Sequence, residues 1–231
     1  GMGTPRVMMT CAVIGQAART AAALCVRHGT RPRELVPSRL EELQQQLLKD
    51  GAYLIGVPNR DPRDLARRAC VTATSEARAP DGTPLAATNV INGIARAEGP
   101  EANAWMADTN APAPHRIELA WPSAQAFNTV HATFFTQSLA PERFEVEAWD
   151  GAGWRTVVAP EQRLRRHVLA FDRVTASKLR VTLPVPAGLC EIRVYDEDPR
   201  DVETARRAAR KQAEPDGPDA RFPWEPPVPT K

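Results

Sequence analysis

The chain has 231 residues, enough for one large domain or one medium-sized domain with additional segments. Hydrophobic residues make up 42% of it, so a chain of this length can build a substantial core. The formal net charge of +2 is too small to favour nucleic acid or an anionic membrane as a main partner. No apolar run reaches the ~20 residues of a membrane-spanning helix, so we predict no membrane span.

The first predicted element is a helix over residues 8–28, where small and apolar side chains dominate and Gly29 stands in a helix-terminating position. Because nearly every face of this helix is apolar or small, we expect it to be buried on several sides. The overlapping stretch from Met2 to Ala18 also resembles a signal peptide, with Arg6 ahead of a short apolar run from Val7 to Ile14. The sequence therefore leaves a periplasmic or secreted location open beside a cytoplasmic one.

Two further helices are predicted before residue 70. Leucines recur at helical spacing over 39–49, and Ser38 and Glu41 form the pattern of a capping box. A short third helix is expected to begin at Asp61, an N-cap residue followed by Pro62. Residues 1–69 therefore form a predicted helical segment.

From residue 70 onward the pattern changes to short strands separated by turns. The candidate strands are 71–75, 116–121, 126–135, 143–149, 154–158, 166–171, 177–183 and 190–196. We predict a mainly β fold, an antiparallel jelly-roll sandwich over 70–198, because no helical pattern interrupts these strands. Residues 79–115 contain few strand signals and are expected to form long loops at one end of the sandwich.

The C-terminal residues 199–231 are predicted to form a polar helix over 200–213 and a proline-rich tail. The four cysteines (Cys11, Cys25, Cys70 and Cys190) do not form a CxxC pair or a zinc-site spacing. We interpret them as small buried hydrophobic residues in a reducing compartment, which favours the cytoplasm. A Cys70–Cys190 bridge is the alternative.

Three stretches of the predicted sandwich resemble the discoidin or galactose-binding-like family. They are residues 87–93 with the following Trp105, the hairpin 143–154 with its Asp-Gly turn and tryptophan, and the closing strand 190–195. This family consists of modules appended to many carbohydrate-active enzymes. The resemblance therefore implies a β-sandwich with carbohydrate as its ligand.

The same resemblance implies a structural calcium site. The family's metal-holding aspartate and glutamate correspond here to Asn92 and Glu191. Calcium prefers several hard oxygen ligands, usually with carboxylate charge, and Asn92 supplies an oxygen without the charge. The alternative is that Asn92 caps a turn through its side chain.

Candidate ligand-binding residues lie in the predicted loop region. Aromatic faces stack on sugar rings, and arginine or histidine can hydrogen-bond to sugar hydroxyls. On this basis we predict Arg96, Trp105 and His115 as ligand contacts. The alternative is that Trp105 closes one end of the sandwich core.

The N-terminal segment resembles a second family, the bacterial FAD-dependent oxidoreductases. Residues 10–24 are similar to the last conserved helix of that family, and residues 43–62 are similar to its continuation. The resemblance implies a helix that directs its N-terminus at the flavin, with Gly15 and Gln16 as the cofactor contacts. Arg19 replaces a glycine of the family pattern.

The dinucleotide-binding part of such a flavoprotein, with its GxGxxG turn and βαβ unit, is absent from this sequence. We therefore expect no cofactor in this chain alone, with FAD belonging to the parent family, and we expect a truncated gene or a piece of a longer protein. A missing flavoprotein domain would bury the apolar first helix. A homodimer through that helix would do the same.

No catalytic residues are predicted, because the histidines lack metal-ligand spacing and no GxSxG motif is present. The leading hypothesis is a non-catalytic accessory module that binds carbohydrate and is inactive as an enzyme by itself. The alternatives are a component that completes a flavin site with another chain, and a protein-binding scaffold without a small ligand.

An open aromatic cleft at 79–115 would favour the carbohydrate-binding module, and an unpacked first helix would favour the component of a flavin site. Collapsed loops with the largest apolar patch elsewhere would favour the scaffold.

Overall fold

The computed structural model describes residues 4–96 and 103–213. Three helices and seven strands are found in these residues. The helices are α1 (Thr4–His28), α2 (Pro32–Lys49) and α3 (Pro199–Ala213). The strands are β1 (Cys70–Ala73), β2 (Trp105–Met106), β3 (His115–Phe134), β4 (Glu145–Trp149), β5 (Trp154–Val158), β6 (Arg166–Leu183) and β7 (Gly188–Tyr195). Short 3-10 turns occupy Leu65–Arg68 and Ala87–Ile91.

All strand pairs are antiparallel, in the order β2-β7-β3-β6-β4-β5, and β1 also pairs with β3. The predicted mainly β, antiparallel fold with helices at both ends is therefore confirmed. The apolar residues that alternate along the strands meet in one core, in which Ile117, Leu179 and Ile192 are fully buried. None of the helices in the described residues is long and apolar enough to cross a membrane.

Two strands are longer than predicted, because β3 and β6 each combine two of the predicted strands. In β3 the chain stays extended through Pro122, between the candidate strands 116–121 and 126–135, and the register of β3 against β6 shifts between Ala120 and Gln125. A proline is tolerated in a strand at such an irregularity, where the ladder requires no N–H from it. The prediction of separate strands at 116–121 and 126–135 was wrong for this reason. The candidate strands 166–171 and 177–183 also form one continuous strand, β6.

Helix α2 begins earlier than predicted. Pro32 occupies the first turn, and the Arg31 N–H donates to Glu34 Oε2 at 2.9 Å. Ser38 lies inside the helix, where its Oγ donates to the Glu34 carbonyl oxygen at 2.5 Å. The predicted capping box at Ser38 is therefore not the start of the helix; Arg39 instead has non-helical backbone angles that mark a kink.

Helix α1 packs against α2 over its C-terminal half, where Leu24, Cys25 and Leu35 form a small separate core. Its N-terminal half is exposed, and several large apolar side chains there are more than half accessible. These are Val7, Met8, Val13 and Ile14, at 59–64%. The expected burial of this helix on several sides is thus not found among the described residues, where the core that α1 joins is the small one it shares with α2.

Strand β7 is buried on both faces, and the two faces differ in chemistry. Ile192 and Val194 point into the apolar core, whereas Glu191, Arg193 and Tyr195 alternate with them on the other face. The chain between α2 and the first 3-10 turn covers this second face: Asp64 Oδ1 accepts hydrogen bonds from the N–H groups of Val194 and Ala66, at 3.0 and 3.1 Å. The helical segment therefore docks on the sheet through polar groups.

The predicted third helix is the 3-10 turn Leu65–Arg68, which is capped by Asp64 rather than by Asp61. Asp61 instead forms an ion pair with Arg63, with 2.8 Å between Oδ2 and Nη2. Helix α3 agrees with the predicted polar helix, and the predicted proline-rich tail at 214–231 lies outside the described residues. The predicted domain boundaries at residues 69 and 198 stay a prediction.

Candidate functional site: an arginine-lined pocket

A pocket with a cavity volume of about 140 Å³ lies where the helical segment meets the sheet. Its walls come from the loop 51–58 after α2, the loop 93–96 after the second 3-10 turn, and the adjacent parts of β3, β6 and β7. Below it is called the arginine pocket, because Arg96, Arg165, Arg166 and Arg193 line it. Glu191 is the acidic residue among its described lining residues.

Arg193 and Glu191 form the buried floor of the pocket. Both side chains are 4% exposed, and Arg193 Nη2 lies 2.8 Å from Glu191 Oε2. Arg193 Nη1 also donates to the Leu48 carbonyl oxygen at 3.0 Å. Burial alone would lower the pKa of Arg193, but the Glu191 carboxylate outweighs it, and the pKa is raised. Arg193 Nε and Glu191 Oε1 have no hydrogen-bond partner among the described residues.

Arg166 occupies the first position of β6, beside the end of α2. Its Nη2 donates to the Lys49 carbonyl oxygen at 2.7 Å and lies 3.3 Å from His131 Nδ1. Burial lowers the pKa of Arg166, and the neighbouring Arg193 lowers it further. Because a guanidinium can only donate, Nδ1 of His131 must be the acceptor. That imidazole is neutral, since burial and the surrounding cations hold its pKa well below its usual value.

Arg165 and Arg96 complete the cationic lining. Arg165 Nη2 donates to the Ala95 carbonyl oxygen at 3.1 Å, which connects β6 to the loop that carries Arg96. Burial lowers the pKa of Arg165, and the charge of Arg96 adds to this effect. The exposed guanidinium of Arg96 lies over the Tyr53 ring, with its Cζ 4.9 Å from the ring centroid. The pocket therefore runs from a buried ion pair to an accessible cation.

Two glycines permit the close approach of the covering loops. Gly93 has φ +90°, and a Cβ there would lie 2.5 Å from the Asn59 carbonyl oxygen. Gly51 has φ +92°, and its Cβ would lie 3.0 Å from Arg166 Nη1. Glycine adopts such angles without the steric cost that other residues incur. Both loops can thus fold over the guanidinium groups.

The predicted ligand contacts are not brought together by the fold. Trp105 is fully buried, and its Nε1 donates to the Ser75 carbonyl oxygen at 2.9 Å, as expected for a residue that closes the core. His115 is 1% exposed at the start of β3. Both side chains are thus covered in this structure, and the Arg96–Trp105–His115 ligand site stays a prediction. Arg96 alone lines the arginine pocket.

The predicted calcium ligands also take other partners. Asn92 Oδ1 accepts the Ile94 N–H at 2.9 Å, and its Nδ2 donates to Asn103 Oδ1. This is the turn-capping role that was the alternative. Glu191 is paired with Arg193 in the arginine pocket. Within residues 4–96 and 103–213, no group of three or more acidic, histidine or cysteine residues could hold a metal ion.

The predicted flavin contacts lie in the middle of α1. Gly15 and Gln16 are preceded by eleven helical residues, so their N–H groups point along a continuous helix. The Gln16 carbonyl oxygen accepts from Thr20 Oγ1 at 2.9 Å.

The sequence did not lead us to predict Arg165, Arg166 or Arg193 as site residues. A usable signal was present at Glu191-x-Arg193, because two opposite charges at alternate positions of an otherwise apolar strand indicate a buried polar face.

Residues 1–47 match the family model described as FAD dependent oxidoreductase. No curated protein matches this chain. Among solved structures, a chitosan-binding module from a Paenibacillus sp. IK-5 chitosanase/glucanase is 20% identical, with a TM-score of 0.46, and the match covers 57% of this chain and 98% of the module. A Clostridium perfringens family 32 carbohydrate-binding module, solved in complex with galactose, is 17% identical, with a TM-score of 0.46, over 58% of this chain and 98% of that one.

A second C. perfringens module, solved in complex with GalNAc-β-1,3-galactose, is 19% identical, with a TM-score of 0.48, over 57% of this chain and 99% of that one. The flavoprotein match is confined to the helical segment, because it ends within α2.

Proposed function

We propose that this chain is a non-catalytic binding module and that its arginine pocket holds one sugar unit of a saccharide. The observation that carries the proposal is the pocket itself, which combines guanidinium donors with a volume of about 140 Å³. A cavity of about 150 Å³ is large enough for a six-membered ring. The pocket therefore has room for part of one monosaccharide, and the rest of the sugar would extend out of it.

The chemistry of the lining is suited to a polyhydroxylated ligand. Each arginine carries five N–H donors in a planar arrangement, and sugar hydroxyl and ring oxygens are acceptors. Tyr53, Val57 and Ile94 contribute apolar surface between these donors. Saccharide sites combine apolar surface with a few placed polar groups in this way. The resemblance of 87–93, 143–154 and 190–195 to galactose-binding-like modules supports the same ligand class.

A panel of immobilised glycans, probed with the full chain, tests the proposal, and calorimetry with free sugars gives the affinities. The variant Ala52→Phe adds a ring inside the pocket, because Ala52 is one of its lining residues. We expect this variant to lose binding. The matched control Ala152→Phe adds the same ring at an exposed residue of the β4–β5 turn and should bind as the unmodified chain does. Equal binding by both variants, or no binding to any glycan, would contradict the proposal.

A second candidate function is supported by the exposed half of α1. Val13 and Ile14 are 61% and 62% exposed, and they lie within the residues that match the FAD dependent oxidoreductase family. A row of large apolar side chains in solvent favours association with another surface. The proposed occupant is a flavoprotein domain of that family, which α1 would join as its missing helix.

The flavoprotein candidate can be tested with a FAD-loaded domain of that family, shortened before the helix that corresponds to α1. We expect the full chain to bind this domain and to slow the loss of its flavin. Glutamate at both Val13 and Ile14 should abolish binding. Glutamate at Val185, which is 49% exposed in the β6–β7 turn, should leave it intact and serves as the control. Absence of any complex would contradict the candidate.

A further inference from the structure

The charge of the arginine pocket is unbalanced. Four guanidinium groups line it against the single carboxylate of Glu191 among the described lining residues, and that carboxylate is already paired with Arg193. Arg166 donates to the Lys49 carbonyl oxygen, and Arg165 donates to the carbonyl oxygens of Ala95 and Phe135. A carbonyl dipole offsets only part of the cost of a half-buried cation.

The pocket also contains a buried hydrogen-bond donor without a partner among the described residues. The Nε–H of Arg193 lacks a hydrogen-bond partner among the described residues, although its side chain is only 4% exposed. Buried guanidinium N–H groups are normally satisfied, and each one that is not costs free energy. Arg193 lines the pocket, so an acceptor bound there could approach it.

The neighbouring cations influence one another. The charge of Arg96 lowers the pKa of Arg165, and that of Arg193 lowers the pKa of Arg166, in both cases in addition to burial. The repulsions between Arg96 and Arg165 and between Arg193 and Arg166 thus act within one cavity, and the carboxylates of Glu191 and Asp50 offset part of the second. A bound negative charge would relieve both repulsions, and guanidinium groups bind planar oxyanions through two parallel hydrogen bonds.

We propose that the ligand of the arginine pocket carries an oxyanion group, a carboxylate or a phosphate, so that the module selects an acidic saccharide over its neutral counterpart. This inference rests on the proposed saccharide-binding function, since it names the class of ligand for the same site. The size of the cavity limits the enclosed part to about one ring-sized group, so the anionic group and only part of the sugar would lie inside it.

Calorimetry with the full chain at low ionic strength tests the inference with three probes: D-glucuronate, D-glucose and inorganic phosphate. We expect glucuronate to bind about tenfold or more tightly than glucose, because charge-assisted hydrogen bonds are stronger than neutral ones. Added salt should weaken glucuronate binding and leave glucose binding nearly unchanged. The phosphate arm distinguishes a phosphorylated ligand from a uronate.

The variants Arg165→Gln and Arg96→Gln should each weaken glucuronate binding by about tenfold. Arg96 is exposed, so its variant is expected to fold even if the Arg165 variant does not. The control Arg163→Gln removes an arginine of the same segment that lies outside the pocket and pairs with Glu142 at 3.3 Å. Its affinity for glucuronate should match that of the unmodified chain.

The outcomes separate this inference from the function on which it rests. One outcome is that glucose binds as tightly as glucuronate and that the Ala52→Phe variant loses both sugars equally. This result would support the saccharide-binding function and overturn the anion site. Phosphate bound without either sugar would support the anion site, and glucose 6-phosphate bound no more tightly than inorganic phosphate would then overturn the saccharide function. No effect of Arg165→Gln and Arg96→Gln beyond that of Arg163→Gln would overturn the anion site.

Discussion

Glu191 and Arg193 stand two residues apart on the same face of β7, with 2.8 Å between Oε2 and Nη2 and 4% exposure for each side chain. Alternate residues of a strand share a face, so the pair is local in sequence yet buried by distant parts of the chain. The Leu48 carbonyl oxygen, 145 residues away, accepts from the same guanidinium. The pair therefore joins the helical segment to the sheet.

Arg193→Met should lower the free energy of unfolding by about 3 kcal/mol, because it leaves the Glu191 carboxylate buried without its partner. The double variant Arg193→Met/Glu191→Gln should recover part of this loss, since no buried charge is then left unpaired. Urea denaturation of the unmodified chain, both single variants (Arg193→Met and Glu191→Gln) and the double variant gives the coupling energy. The control Arg163→Met breaks an exposed pair with Glu142 and should change stability by less than about 0.5 kcal/mol. If Arg193→Met lowered the free energy of unfolding no more than Arg163→Met does, the expected coupling between Arg193 and Glu191 would be contradicted.

His167 should make the fold acid-sensitive. Its ring packs edge-on against Phe134 and Phe144, at 5.9 and 5.0 Å between centroids, and burial lowers its pKa to about 4. The folded state thus favours the neutral imidazole. This contribution to stability is complete above the ordinary pKa of 6.5 and is lost as the pH falls from 6.5 towards 4.

His167→Phe should reduce the pH dependence of the free energy of unfolding across this window by about 2 kcal/mol. Denaturation at several pH values between 4 and 7 measures it. Burial also raises the pKa of Asp64 to about 6, which has the opposite sign: its contribution is complete at low pH and declines as the pH rises towards 6. Asp64 is present in both proteins, so it cancels in their difference. An unchanged pH slope would contradict the role of His167.

Gly93→Ala should destabilise the protein more than Gly56→Ala. Both positions have positive φ, +90° and +71°, so alanine is strained at each. At Gly93 the added Cβ also meets the Asn59 carbonyl oxygen, whereas at Gly56 there is nothing within 4 Å. We expect a cost of about 1 kcal/mol at Gly56 and clearly more at Gly93, from thermal or urea denaturation. Equal costs would show that the loop 93–96 can move away from Asn59.

The exposed apolar half of α1 predicts self-association of the isolated chain, in line with the homodimer expected from the sequence. Sedimentation velocity over a range of concentrations should show a dimer or larger species. Glutamate at Val13 and Ile14 should shift the chain to a monomer, and Val185→Glu should not. A monomer at every concentration would leave the flavoprotein domain as the remaining candidate cover for this face.

The sequence alone determined the elements whose signals are local. Alternation at 143–149 and the Asp150-Gly151 turn predicted the β4–β5 hairpin, and Asp150 Oδ1 indeed accepts from the N–H groups of Ala152 and Gly153, at 2.9 and 2.8 Å. The period of apolar residues likewise predicted an antiparallel β fold between helices. Such signals depend on neighbours within a few residues, which the sequence shows directly.

The tertiary structure decided which polar residues meet. Arg96, Arg165 and Arg193 lie far apart in the sequence, and they share a pocket only because β6 and β7 flank β3 and the residues after α2 fold over that sheet face. It also decided that Trp105 is enclosed and that α1 is not. Burial depends on what the rest of the chain places nearby, so the apolar character of a residue does not settle whether it is covered.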